Sequence, residues 1–141
     1  MSILQPHIRG ARVIDLFAGS GALGLEALSR GAVHADFVET DRRTAEILSK
    51  NVENLEAAAI TQIHRADALR FAERLPAGAY DLAFADPPYT GGAAERMAEV
   101  WLATPFASIL SVEHDARTKL PGGFDSRRYG TSAITFFKSE G

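Results

Sequence analysis

Val13-Ile14-Asp15-Leu16-Phe17 runs without a break into Ala18-Gly19-Ser20-Gly21-Ala22-Leu23-Gly24. A β-branched, apolar run that meets closely spaced glycines and then helix-forming residues is a strand turning sharply into a helix. That junction commits the chain to a layered α/β architecture, because the strand is apolar enough to be covered on both faces.

The rest of the chain repeats the unit. The pattern predicts strands over Arg12 to Phe17, Ala35 to Glu39, Ile60 to Arg65, Tyr80 to Ala85 and Ser108 to Glu113. Between them lie helical stretches. Ala22 to Arg30 carries Leu23, Ala27 and Leu28 on one face, and Gly31 follows as a C-capping glycine would. Arg42 to Leu55 carries Ala45, Leu48, Val52 and Leu55; Ala68 to Leu75 is shorter; Ala93 to Ala103 carries Met97, Val100 and Trp101, with Pro105 behind it. After the turn at Pro121-Gly122-Gly123 the helices stop. Phe124 to Tyr129 and Thr131 to Lys138, joined at Gly130, read as a terminal antiparallel hairpin. The expected fold is therefore a doubly wound, mostly parallel sheet closed by an antiparallel hairpin, unlike the dinucleotide-binding plan that continues with parallel strands.

At 141 residues the chain holds one core of ordinary size, so a single domain over residues 1–141 is expected. With no cysteine there is no thiolate metal site, and the four histidines are scattered; no metal is expected. The apolar runs are too short to span a bilayer, and Met1-Ser2-Ile3-Leu4-Gln5-Pro6 lacks the regions of a signal peptide. A cytoplasmic protein, off the membrane, is expected. Net charge of −3 is unfavourable for binding a phosphate backbone, although Arg42-Arg43, Arg65, Arg70 with Arg74, and Arg127-Arg128 could form local basic patches or simply solvated faces.

Gly19, Gly21 and Gly24 satisfy G-x-G-x-x-G, and Glu39 closes the next strand where a ribose-binding acid belongs. A nicotinamide cofactor would fit this much. Asp15 argues against it: a carboxylate inside the strand repels a pyrophosphate but receives, directly or through water, the cationic amino-acid end of S-adenosylmethionine. Asp67 follows the third strand directly. It could accept the adenine amino group, with Ala68 keeping the ring pocket shallow, or it could cap the helix that starts at Ala68.

Asp86-Pro87-Pro88-Tyr89 closes the fourth strand, at the edge where open α/β sheets bind ligands. Consecutive prolines fix φ twice and remove two N–H donors, leaving a stiff loop with unpaired carbonyls. The Asp86 carboxylate and the Pro87 carbonyl can each accept a hydrogen from one exocyclic amine, while the Tyr89 ring offers a face for a base. Two such acceptors favour a pyramidal nitrogen whose lone pair points at a sulfonium methyl. A cofactor turn and an amine-holding loop on one sheet edge together point to methyl transfer.

The run from Asp15 through Ala32, Val38-Glu39-Thr40-Asp41-Arg42-Arg43, and Asp86-Pro87-Pro88-Tyr89 resemble the RsmD family, bacterial methyltransferases acting on the N2 amine of a guanine in small-subunit (16S) ribosomal RNA. The resemblance extends to the Tyr129-Gly130-Thr131 region. It implies a seven-stranded class I methyltransferase fold, S-adenosylmethionine as cofactor, ribosomal RNA or the small subunit as partner, and a monomer. By this resemblance Asp15, Gly19 and Gly21 hold the methionine end, Glu39 the ribose hydroxyls, and Asp67 with Ala68 the adenine. Phe17, Ala18, Ser20, Thr40 and Asp86 complete the cofactor's surroundings, and Asp86, Pro87, Pro88 and Tyr89 form the amine site. Family members carry a basic segment ahead of the first strand. Only Met1 to Ala11 precede Arg12 here, so that segment is expected to be missing.

Three other functions compete. A DNA-adenine enzyme would share the Asp-Pro-Pro-Tyr chemistry but needs a target-reading insert, and the residues between Gly21 and Asp86 are consumed by sheet and helices. A protein-glutamine methyltransferase more often has Asn where Asp86 stands. A cofactor-binding module without turnover is the third. Glu113-His114-Asp115 reads as a strand end facing the crevice, Met97 and Trp101 as core, and Tyr129 as either an RNA contact or hairpin packing.

Overall fold

The computed structural model describes residues 4–140. Seven strands form one sheet: β1 (Arg12–Leu16), β2 (His34–Val38), β3 (Thr61–His64), β4 (Tyr80–Ala85), β5 (Ala107–Asp115), β6 (Asp125–Tyr129) and β7 (Ser132–Lys138). Their order is β3-β2-β1-β4-β5-β7-β6. The first five strands are parallel, and β7 runs antiparallel between β5 and β6. The chain winds outward from β1 to β3, then crosses back to lay β4 on the other side of β1. That reversal opens a crevice at the carboxyl ends of β1 and β4.

Alternation along each strand feeds two cores. Ile14 and Leu16 of β1 pack with Ala83, Leu110 and Phe137 under α4 (Ala68–Glu73) and α5 (Ala93–Ala103). Val13 packs with Phe37, Leu82 and Phe84 under α2 (Ala22–Ser29) and α3 (Arg42–Asn54). Asp15, paired in register with Phe37 and Phe84, faces the second core. Fully buried side chains such as Phe37, Phe106 and Phe137 each contribute about 1.5–3 kcal/mol by leaving water.

Local chemistry sets the helix ends. The Asp41 side chain accepts the Thr44 N–H at 2.9 Å to cap α3. Helix α2 ends as expected at Gly31, whose φ of 108° lets the Ala32 N–H reach the Ala27 carbonyl and its own N–H reach that of Leu28. Trp101 and Met97 are core, and the Trp101 indole donates to the Ala107 carbonyl at 2.9 Å.

Five details depart from the sequence reading. A short helix α1 (Gln5–Ile8) precedes β1, with Pro6 in its first turn and Ile8 buried; four residues are too few to show a periodicity. Ile60 belongs to a 3₁₀ turn, Ala58–Ile60, and β5 reaches from Ala107 to Asp115 because β7 pairs along its length. Leu55 is exposed, since it caps α3 where the helical face has ended. Leu23 is also exposed: α2 buries Gly24, Leu25 and Ala27 instead. A Cβ at Gly24 would lie 2.4 Å from the Phe37 ring, so glycine lets α2 sit close on the sheet and turns Leu23 outward.

Candidate active site

Register across the strand ends determines which side chains meet. Leu16 pairs with Val38 on one side and Ala85 on the other, and Ala85 pairs with Val112. The next residues, Glu39, Phe17, Asp86 and Glu113, therefore form a row across β2, β1, β4 and β5. The glycine turn follows Phe17 and the proline loop begins at Asp86, so the two stand side by side over the middle of this row.

The turn bends at Gly19 and Gly21, at φ values of 58° and 86°, and Gly21 opens α2 with no side-chain cap. Of that first turn, the Ala22 and Leu23 N–H groups remain available to an anionic ligand group, while Asp15 takes that of Gly24. Phe17, just before the turn, also has a positive φ, 59°, which for an aromatic residue is strain held by its surroundings at the mouth of the crevice.

Asp15 is buried directly beneath α2, and its Oδ2 accepts the Gly24 N–H at 3.1 Å. Burial pushes this carboxyl up to about 8; the Gly24 bond works against that, and the Asp86 and Glu39 carboxylates add to it. Among the described residues no cation offsets it. A buried acid in that state marks a candidate functional site. Glu39 joins the two loops: one oxygen accepts the Gly19 N–H at 2.8 Å and the other the Asp41 N–H at 2.9 Å. Thr40 lies between those contacts, and its carbonyl accepts from Arg65 at 3.1 Å.

Asp67 adopts the capping geometry: its Oδ2 accepts the Arg70 N–H at 2.9 Å, and Ala68 behind it is buried. Only the other carboxylate oxygen is left for a ligand.

Asp86 is exposed at the crevice, and its carboxyl is pushed up to about 6, first by partial desolvation and then by the neighbouring Glu113 carboxyl. Pro87 is buried and Pro88 exposed. The Tyr89 hydroxyl is anchored at 2.5 Å to the Ser132 hydroxyl and at 3.5 Å to Glu113, and the residue remains 44% exposed. The structure thus brings Asp15, the glycine turn, Glu39 and the proline loop to one edge, with Asp67 at its far side as a helix cap.

Glu113 and Ser132 were not singled out from the sequence as site residues. Glu113 was legible in principle, because it ends the strand after the one that Asp86 follows; Ser132 needed the hairpin register. His114 of the same segment is buried and bonds Thr135 and the Asp115 carbonyl. Among the described residues no group of metal-ligating side chains occurs, and no helix is long and apolar enough to cross a membrane.

Strand order and an antiparallel seventh strand define the class I methyltransferase fold. The family model described as Conserved hypothetical protein 95 matches residues 1–138, so the chain belongs to that family, the RsmD family. It is 31% identical over 144 residues to the ribosomal RNA small subunit methyltransferase D of Haemophilus influenzae, covering 96% of this chain and 74% of that protein. The Escherichia coli protein of the same name is 36% identical over 123 residues, 84% of this chain and 60% of that one. A solved Streptococcus pyogenes structure, described as a conserved hypothetical protein, superposes with a TM-score of 0.84 at 31% identity, covering 99% of this chain and 94% of that one.

Proposed function

We propose that the protein is one methyltransferase domain that transfers a methyl group from S-adenosylmethionine to the N2 amine of a guanine in small-subunit ribosomal RNA. The observation that carries this reading is the shared edge: Asp86, at the end of β4, sits beside the glycine turn at the end of β1, with rigid proline backbone behind it. The names of the relatives support ribosomal RNA as the substrate.

The residues fit the cofactor. Asp15, buried at the crevice, takes the ammonium of the methionine end, and the Ala22 and Leu23 N–H groups that open α2 take its carboxylate. Glu39 presents carboxylate oxygens to the ribose hydroxyls, and Phe17, Ala18, Ser20 and Thr40 line the same turns. Asp67 and Ala68 border the adenine. Bound there, S-adenosylmethionine supplies an electrophilic methyl on a sulfonium whose leaving group is a neutral thioether.

The chain's own residues then do the alignment. Asp86 and the Pro87 carbonyl hold the two amine hydrogens, and the Tyr89 ring stacks on a base turned out of its helix. The nitrogen lone pair would take that methyl, the electron pair of its bond to sulfur staying with the thioether. The methylated amine is then cationic and strongly acidic, and its proton passes to Asp86. A carboxyl with a pKa about 6 is ionised at neutral pH and still basic enough to accept it.

Two substitutions test the assignment. Asp15→Ala abolishes cofactor binding, measured by calorimetry. Asp86→Ala spares binding and removes turnover; full turnover in Asp86→Ala refutes the amine site.

A further inference from the structure

Beyond the amine loop, the same sheet edge continues into a cavity of about 120 Å³. It is floored by Phe84 and Phe136 and bordered by Leu23, the side chain that α2 turns away from the core. At its polar end stand Glu113 of β5 and Arg127 of β6, both paired with Ile134 of β7 and so on the same face. Two strand spacings separate them, about 10 Å between backbones. The Arg127 Nε is held by Asp125 at 3.3 Å, which leaves the rest of its guanidinium for a ligand.

Across β4, β5 and β6 the polar groups therefore run acceptor, acceptor, donor: Asp86, Glu113, Arg127. The Watson–Crick edge of guanine runs donor, donor, acceptor: the N2 amine, N1–H and O6. The two sequences are complementary. Adenine matches only the first place: beside its N6 amine it presents the unprotonated N1, which a carboxylate repels, and then C2–H, which gives Arg127 no acceptor.

Resting on the guanine-N2 reading above, we propose that Glu113 and Arg127 are the residues that select guanine: Glu113 accepts the N1–H and Arg127 donates to O6, while Asp86 holds the reacting amine. Apolar Leu23 and Phe136 cover the ring of the base.

Glu113→Gln tests this, because glutamine keeps the shape and removes the charge. Binding of guanosine 5′-monophosphate and adenosine 5′-monophosphate is measured by NMR titration on protein saturated with S-adenosylhomocysteine. The wild type prefers the guanine nucleotide by about tenfold, and Glu113→Gln removes that preference while cofactor affinity and melting temperature stay unchanged. In parallel, kcat/KM for methyl transfer to unmodified small ribosomal subunits falls by at least about tenfold in Glu113→Gln. No guanine preference in the wild type, or a variant that retains both preference and kcat/KM within about twofold, overturns the role of Glu113. If the wild type places its methyl on a base other than guanine, the guanine-N2 reading itself fails, and this assignment with it.

Discussion

The buried Asp15 carboxylate accepts the Gly24 N–H of α2 at 3.1 Å, so one acid in the middle of a strand caps the helix that the glycine turn launches. The same burial lifts its pKa to about 8 against an ordinary 3.8, which means the folded, ligand-free protein holds a proton that the unfolded chain does not. Its contribution to stability is complete below about pH 4 and is lost as pH rises toward about 8. Asp15→Asn, which keeps an acceptor for Gly24, is expected to flatten the decline in melting temperature between pH 5 and pH 8 and to weaken the cofactor by at least about 30-fold. Differential scanning calorimetry and titration calorimetry read the two effects.

Cofactor binding should also release protons. Near pH 7 Asp15 is mostly protonated when free, and an ammonium partner favours its charged form. Calorimetry in phosphate and in Tris, buffers of different ionisation enthalpy, is expected to give different apparent enthalpies. Identical enthalpies would mean that Asp15 does not meet the cation.

Asp86 governs the rate. With a pKa raised to about 6, it is a carboxylate above that pH and a neutral acid below it, so single-turnover rates with saturating cofactor are expected to rise through about pH 6 and then level. Asp86→Asn removes the limb and lowers the plateau by at least about 100-fold.

The helix must lie close to the sheet for these contacts to form. Gly24→Ala places a methyl 2.4 Å from the Phe37 ring and 3.2 Å from the Asp15 carboxylate, in a helix where the backbone itself is unstrained. The expected cost is about 1–3 kcal/mol in urea unfolding, with weaker cofactor binding because Asp15 is displaced.

Tyr80→Phe separates stability from function. The Tyr80 hydroxyl donates to Asp36 at 2.5 Å, and His34 and His64 bond the other oxygen, on the face covered by α4. Burial alone would raise Asp36, yet these bonds hold it below the usual carboxylate range. Removing the hydroxyl is expected to cost about 1–3 kcal/mol and to leave cofactor affinity unchanged.

Much of this was legible in the sequence because it depends on short-range rules. The strand-to-glycine junction at Asp15 to Gly21, the Gly31 cap and the Asp-Pro-Pro-Tyr loop are each built from neighbouring residues whose backbone preferences allow few conformations. What was hidden depends on register and on close approach. Leu23 has the spacing of a core residue and is turned out only because Gly24 draws α2 against Phe37. Asp67 satisfies both a cap and an adenine contact on paper, and only geometry shows the cap. The meeting of Asp86 with Glu113, and of Tyr89 with Ser132, joins segments far apart in the chain and follows from strand order, not from any local pattern.

The central claim is the chemistry at Asp86. Labelled methyl from S-adenosylmethionine is incubated with unmodified small ribosomal subunits, naked ribosomal RNA and DNA, and the products are digested to nucleosides. Label is expected in N2-methylguanosine from RNA, absent when Asp86→Asn replaces the wild type. Label in an adenine or in DNA, or undiminished transfer by Asp86→Asn, would contradict it.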